Sequence, residues 1–396
     1  MDFLIQTEKF HRIVFLKQSI RKIIPSDQTI RNLLCYYLSL ANEKYDSIEK
    51  FDYFLSKNYD LKYRVNLSTF GNQSIISYSM SAIDPKYLSD EEYNIKLLEE
   101  SFDDITKPLI KNNKFDLKIF NKAKEFYASN LLYEDESDKK AYDGLIDAYF
   151  KGTTRAFNST GSLEELEKIK INDLYQYYLS TLNDEKISYA VGDVKDIKAF
   201  NNSTLKIKND YFFKERINHL PYIEAKGDTK QAHLFIIYDP FIFTDSKLSE
   251  ALSLINHHFG GASNSKLFEI IREKFGLCYS ISSTYMAASG IILVHAIINK
   301  KDVSKVINEI DNIFNNLLID FNLDEKKEYY KMYYKDKYDY IYTLYNEFLT
   351  KNYFKNTPII KEEVKIIDSL TMDDIKDAYS KIEKKLVYVY GGDVNE

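Results

Sequence analysis

Tryptophan is absent from this chain, and cysteine, proline and glycine are scarce, at 2, 6 and 12 of 396 residues. Each shortage closes off a class of protein. Cys35 and Cys278 stand far apart, too few for a disulfide framework; they suit a reducing compartment without excluding one bridge. Asp2, Glu8, Lys9 and Arg12 interrupt every apolar run near Met1, so no secretory leader is expected. The longest apolar stretch, Ile291–Ile298, carries His295 and is too short to span a bilayer. A formal charge of -6 without long basic runs argues against a nucleic-acid surface. These shortages point to a cytoplasmic protein that touches neither membrane nor nucleic acid. What is present is ordinary for a soluble globular chain, with 44% hydrophobic and 29% charged residues. The length is comfortable for two domains of about 200 residues each.

The two halves resemble each other. Ile187-Ser-Tyr-Ala-Val-Gly-Asp-Val194 parallels Leu386-Val-Tyr-Val-Tyr-Gly-Gly-Asp-Val394, and the two Gly-Asp-Val ends lie 200 residues apart. A similar helix precedes each, at Asn172 to Tyr178 and at Asp373 to Tyr379. Farther upstream, Lys50 to Tyr63 lies over Lys266 to Tyr279, with Phe51, Leu55, Tyr59, Leu61 and Tyr63 facing Leu267, Ile271, Phe275, Leu277 and Tyr279. A period this long means duplicated domains rather than a solenoid. The expected division is a first domain over 1–206, a linker over 207–230 and a second domain over 231–396.

Within each domain the pattern reads strand, two helices, two strands, several helices, and a closing strand. In the first, Arg12 to Ser19 reads as an edge-like strand and Thr29 to Ala41 as a helix. Tyr63 to Phe70 and Ser74 to Ile83 alternate as a hairpin about Gly71-Asn72. Helices fill most of Glu91 to Thr181, with Ser162-Leu-Glu-Glu165 as a capping box. The second domain offers a strand at Ala232 to Tyr238, a helix at Leu248 to Phe259, a hairpin at Leu277 to Ile298 and a helix at Val303 to Leu318. Elements clustered this way predict an α+β fold of two similar sandwich domains, each an antiparallel sheet packed with helices.

The most distinctive stretch, Gly260 to Tyr279, reads G-G-A-S-N-S-K-L-F-E-I-I-R-E-K-F-G-L-C-Y. A helix is expected over Ser265 to Phe275, with Leu267, Phe268, Ile271 and Phe275 on its apolar face. Gly276 would end it in a left-handed turn, and a strand would follow. The stretch resembles the C-terminal half of the pitrilysin/insulinase-type zinc peptidases, where G-G-x-x-x-S-x-L-F-x-x-x-R-E-x-x-G-L-x-Y is a family pattern. The resemblance covers essentially the whole chain and is strong only here. It implies half of a clamshell, with Arg272 and Tyr279 reaching a substrate bound beside a zinc ion.

Hydrolysis by zinc needs three protein ligands and a carboxylate base. The family supplies them as H-x-x-E-H on the first long helix. Here that helix carries Asn32-Leu33-Leu34-Cys35-Tyr36, and the first 200 residues contain no histidine but His11. No metal ligand and no cofactor are therefore expected in this chain. The other histidines have ordinary readings: His257-His258 as a helix-end pair near Gly260-Gly261, Glu215 and His219 as an exposed pair, and His295 as a hydrogen-bonded core residue. Cys278 reads as inert packing.

Locally, Arg272 reads as a solvated helix charge and Tyr279 as a strand-end packing residue. The overlay of the halves puts Ser56 opposite Arg272, so the arginine belongs to one half only. The resemblance implies that the pair acts in trans, stabilising the oxyanion that grows when hydroxide attacks a peptide carbonyl. It also implies a heterodimer with an H-x-x-E-H zinc peptidase subunit, one chain of a bacterial two-subunit peptidase in peptide processing. The alternative is a scaffold that is structural or binds peptides without chemistry. The scarcity of glycine argues against a long glycine-rich recognition loop.

Overall fold

The computed structural model describes residues 1–133, 137–216 and 220–392. Its strands are alternating runs at Lys62–Phe70 and Cys278–Met286 and near-continuous buried runs at Ala232–Tyr238 and Ile291–Ile298. In the first unit these are β1 (Phe3–Gln6), β2 (Arg12–Lys22), β3 (Lys62–Phe70) and β4 (Gln73–Ile83), a short ribbon of β5 (Ile110–Lys111) and β6 (Lys114–Phe115), and β7 (Glu185–Gly192). The sheet runs β1-β7-β2-β4-β3. Pairing is parallel between β1 and β7 and antiparallel elsewhere. The second unit holds β8 (Tyr222–Ala225), β9 (Ala232–Tyr238), β10 (Cys278–Met286), β11 (Ile291–Ile298) and β12 (Lys384–Gly391), in the order β10-β11-β9-β12-β8. Its one parallel pair is β8 with β12. Read from corresponding edges the two orders are identical, so the internal repeat is a repeat of topology.

The fold is α+β, with each sheet packed by helices. On one face of the first sheet, Leu33, Leu34 and Leu38 of the helix Gln28–Leu40 bury against Val65 of β3 and Ile76 of β4. Each such side chain contributes roughly 1.5–3 kcal/mol by leaving water. Arg31 of the same helix is fully buried, and its guanidinium meets Ser74 Oγ at 2.9 Å and Asp184 at 3.4 Å. Helix Leu163–Lys168 begins on Ser162, whose hydroxyl accepts the Glu165 N–H at 3.2 Å; Glu165's own carboxylate instead accepts from the Thr29 hydroxyl.

Neither unit is continuous in sequence. The first gathers Met1–Glu134, Phe157–Lys208 and Tyr338–Tyr353, and the second Asp135–Ala156, Asn209–Lys337 and Phe354–Glu396. Each thus takes in one helix from the other half of the chain, Ile341–Tyr353 in the first and Ser137–Phe150 in the second. The stretch 207–230 contains β8. Strand β2 corrects one expectation: it is central, paired with β7 on one side and β4 on the other, rather than edge-like. Arg12 and Lys17 lend its sequence an edge character, yet Arg12 is satisfied by Ser81 and the apolar Ile13 to Leu16 are buried. The repeated glycines Gly192 and Gly392 have positive φ, at 136° and 75°; Asp393 and Val394 lie outside the described residues.

Candidate functional site

The helix Lys247–Asn256 loosens into a π-type turn over His257–Gly261. Asn256 holds this turn against β10: its Oδ1 accepts from Ser283 Oγ at 2.7 Å, and its Nδ2 donates to the Ser283 carbonyl at 3.3 Å. A second helix follows and is π-type over Phe268–Lys274. Leu267 and Ile271 are buried as the spacing predicts, and Phe268 is half-buried. Phe275 is instead 40% exposed. Its N–H bonds the Ile270 carbonyl at 3.1 Å, five residues back, and the widened turn carries it off the apolar face.

Gly276 ends the helix at φ 59°. Its N–H bonds the Arg272 carbonyl at 3.1 Å, and the Leu277 N–H bonds the Ile271 carbonyl at 3.0 Å. The first half repeats these two bonds, Asp60 N–H to the Ser56 carbonyl at 3.3 Å and Leu61 N–H to the Leu55 carbonyl at 3.0 Å, with φ 55° at Asp60, although Tyr59 before it is also left-handed at φ 57° where Phe275 is not. The side chains at matching places diverge. Tyr63 lies in regular register opposite Met80 and donates its hydroxyl to the Ile105 carbonyl at 3.3 Å. Tyr279 falls at a bulge, because Cys278 pairs with Ile298 while Ser280 pairs with Ile297. Bulges re-aim side chains, and Tyr279 is 73% exposed with no hydrogen-bond partner among the described residues.

Arg272 and Tyr279 therefore sit at either end of one exposed turn, and no hydrogen bond joins them among the described residues. The Arg272 guanidinium lies 4.6 Å from the Phe268 ring centre, a cation–π contact, and its Nε is 4.0 Å from Glu273. Burial pushes the neighbouring Cys278 thiol up to about 11, with the charge of Arg272 pulling the other way. At neutral pH Cys278 is a thiol, not a nucleophile.

The position expected for zinc is filled by other bonds. Asn32 Nδ2 donates to the Gln28 and Ser159 carbonyls, each at 2.9 Å. Burial drives the Cys35 thiol up to about 12, far from the thiolate a metal needs. Tyr36 stacks on Tyr127 at 4.9 Å and accepts a hydrogen bond from Asn130. Neutral amides, a phenol and a protonated thiol do not suit zinc. Among the described residues no group of three or more His, Cys, Asp or Glu is placed to hold a metal ion.

Residues 168–333 match the model of the peptidase M16 inactive domain. A Bacillus subtilis protein named "Probable inactive metalloprotease YmfF" is 24% identical over 328 residues, covering 77% of this chain and 74% of its own. Over that stretch, and to YmfF over about three quarters of its length, the chain is similar to inactive-type M16 peptidase proteins. In fold it is similar to a conserved protein from Enterococcus faecalis, at TM-score 0.86 and 21% identity over 99% of this chain and 96% of that one. It is also similar to the periplasmic protease PqqL of Escherichia coli, at TM-score 0.68 and 13% identity over 96% of this chain but 42% of that one.

Of the histidines, His233, His258 and His295 make structural contacts and His257 is packed between rings. His295 Nε2 and His233 Nδ1 lie 3.2 Å apart, so His295 is hydrogen-bonded as expected but half-buried rather than in the core, and desolvation lowers it to about 4. His258 meets Asp320 at 3.3 Å. His257 is buried between Tyr329 and Tyr330, its ring nitrogens without partners, and burial holds it at about 4. Glu215 accepts the Thr154 N–H at 2.9 Å, while His219 lies outside the described residues. No helix among the described residues is long and apolar enough to cross a membrane.

Proposed function

We propose that this chain is the metal-free subunit of a two-chain M16 endopeptidase and lends Arg272 and Tyr279 to the zinc site of an H-x-x-E-H partner. The observation that carries the reading is the contrast between Tyr63 and Tyr279. In one copy of the turn the phenol is bonded inside its own unit. In the other a bulge turns it outward at one end of a turn whose other end carries Arg272, where the first copy has Ser56. A cation and a phenolic donor free of internal hydrogen bonds are what a developing oxyanion requires. Their work there would be assistance, since the partner's zinc polarises the same oxygen.

The chain matches less than half the length of PqqL, which suits one half of an enclosure that a second chain completes. The partner would take a peptide substrate for processing, and the two free cysteines suit a reducing cytoplasm. A non-catalytic scaffold is the second reading, favoured by the packing of Arg272 over Phe268. Co-expression with the H-x-x-E-H relative from the same cell tests the pairing. The expected result is a heterodimer near twice the 46.6 kDa of this chain by light scattering. A chain that stays monomeric beside every such relative would count against it.

A further inference from the structure

The outer faces of the two sheets differ in a way that packing does not require. In the second unit, Phe235, Ile237, Ile291 and Leu293 are sealed by Leu145 and Ile146 of the helix Ser137–Phe150. In the first unit the register sets Ser81 between Val14 and Lys62, Ser79 between Leu16 and Arg64, and Ser77 between Gln18 and Asn66. A column of serines on β4 thus runs between an apolar edge on β2 and a basic and amide edge on β3. The helix Ile341–Tyr353 closes over part of this face and leaves a cavity of about 720 Å³, lined by Arg64, Asn66, Ser77, Ser79, Tyr342 and Asn346 among others. An adjoining cavity of about 520 Å³ shares Arg64 and Ser79 and adds Arg12 and Lys62. Every one of these residues belongs to the first unit.

Among the described residues no aspartate or glutamate lines either cavity, in a chain whose formal charge is -6. Arg12 is held by Ser81 Oγ and the Ser81 carbonyl, both at 2.8 Å, and Lys62 pairs with the exposed Asp60. The Arg64 guanidinium has no hydrogen bond or ion pair among the described residues, nor do the side chains of Asn66 and Ser79. Gln18 donates to Ser77 Oγ at 3.1 Å, but its buried Oε1 accepts from nothing. A free guanidinium asks for an anion, and an orphaned amide oxygen asks for an N–H. A peptide carrying carboxylates supplies both, whereas a simple anion supplies only the first. Lys62 and Arg64, two apart on one strand, stand about 7 Å apart along it. That is also the spacing of alternate side chains in an extended peptide.

We propose that this cavity binds an extended acidic peptide segment, with carboxylates on Arg64 and Lys62 and a backbone N–H turned to Gln18. The proposal is independent of any role for Arg272 and Tyr279. Fluorescence anisotropy on the full chain tests it, using a labelled eight-residue peptide of alternating Glu and Ser against the same peptide with Gln for Glu. The acidic peptide should bind at least about tenfold more tightly at low salt, and the margin should shrink as salt rises. Arg64→Gln should weaken it about tenfold and Lys62→Gln by less, the scale of one charge-assisted hydrogen bond. Lys274→Gln, in the other unit, should change nothing. Equal binding of the two peptides, or wild-type binding by Arg64→Gln, overturns the proposal. So does displacement by inorganic phosphate at concentrations as low as those of unlabelled peptide, which would make this a small-anion site.

Discussion

A methyl group at Gly260 would lie 2.7 Å from Leu267 Cδ1 and 2.6 Å from Ser283 Oγ. The first glycine of the motif is therefore set by the close approach of the π-type turn to the next helix and to β10. Gly276 is required for a different reason: the space around it is open, but its φ of 59° disfavours a side chain. Gly276→Ala should cost about 1–2 kcal/mol, the price of a left-handed residue. Gly260→Ala should cost up to about 3 kcal/mol, because Leu267 is fully buried and cannot move aside freely. Urea unfolding of both variants checks the order, and a Gly276 variant the less stable of the two would contradict it.

Glu250 is buried on the helix Lys247–Asn256 and accepts the Tyr334 hydroxyl at 3.1 Å. Burial raises its carboxyl from the usual 4.5 to about 7, against the pull of Tyr334 and the charge of Lys337. The folded chain then keeps a proton that the unfolded chain has released. The resulting stability is full below about pH 4.5 and is lost as pH rises through about 7. His257 and His295, lowered to about 4, act in the opposite sense, adding stability as pH climbs towards the usual 6.5. The difference between variant and wild type isolates the carboxyl. Glu250→Gln should match the wild type near pH 4.5, gain on it up to about pH 7 and hold that gain above. A difference that stays flat across that range would contradict the assignment.

Much of the fold was legible because its signals are local. Ala232–Tyr238 is a strand with the bounds its apolar run indicates, and both hairpins follow from short turns between strand-forming runs. The four-residue strands β1 and β8 escaped notice, since each forms only by pairing with a distant strand, as Phe3 does with Tyr189. The exposure of Phe275 is hidden from a 3.6-residue period, and the π-type turns depend on how Asn256 and Leu267 pack. For the site, Asn32, Cys35 and Tyr36 already exclude zinc by their chemistry. The turn at Gly276 was readable, but the bulge that turns Tyr279 outward is a mismatch between two strands, which no single strand records. The serine column beneath Arg64 was likewise invisible until β2, β3 and β4 were aligned.

The central claim is that Arg272 and Tyr279 act on a substrate held by another chain. Both side chains are exposed, so Arg272→Ala and Tyr279→Phe should leave the stability of this chain within about 0.5 kcal/mol of wild type. The most direct measurement is single-turnover and steady-state peptide cleavage by the complex reconstituted with its H-x-x-E-H partner. Arg272→Ala should lower kcat about 10²-fold with KM little changed, and Tyr279→Phe should lower it by less. Full activity in both variants, with the complex still assembled, would contradict the claim and leave this subunit a scaffold.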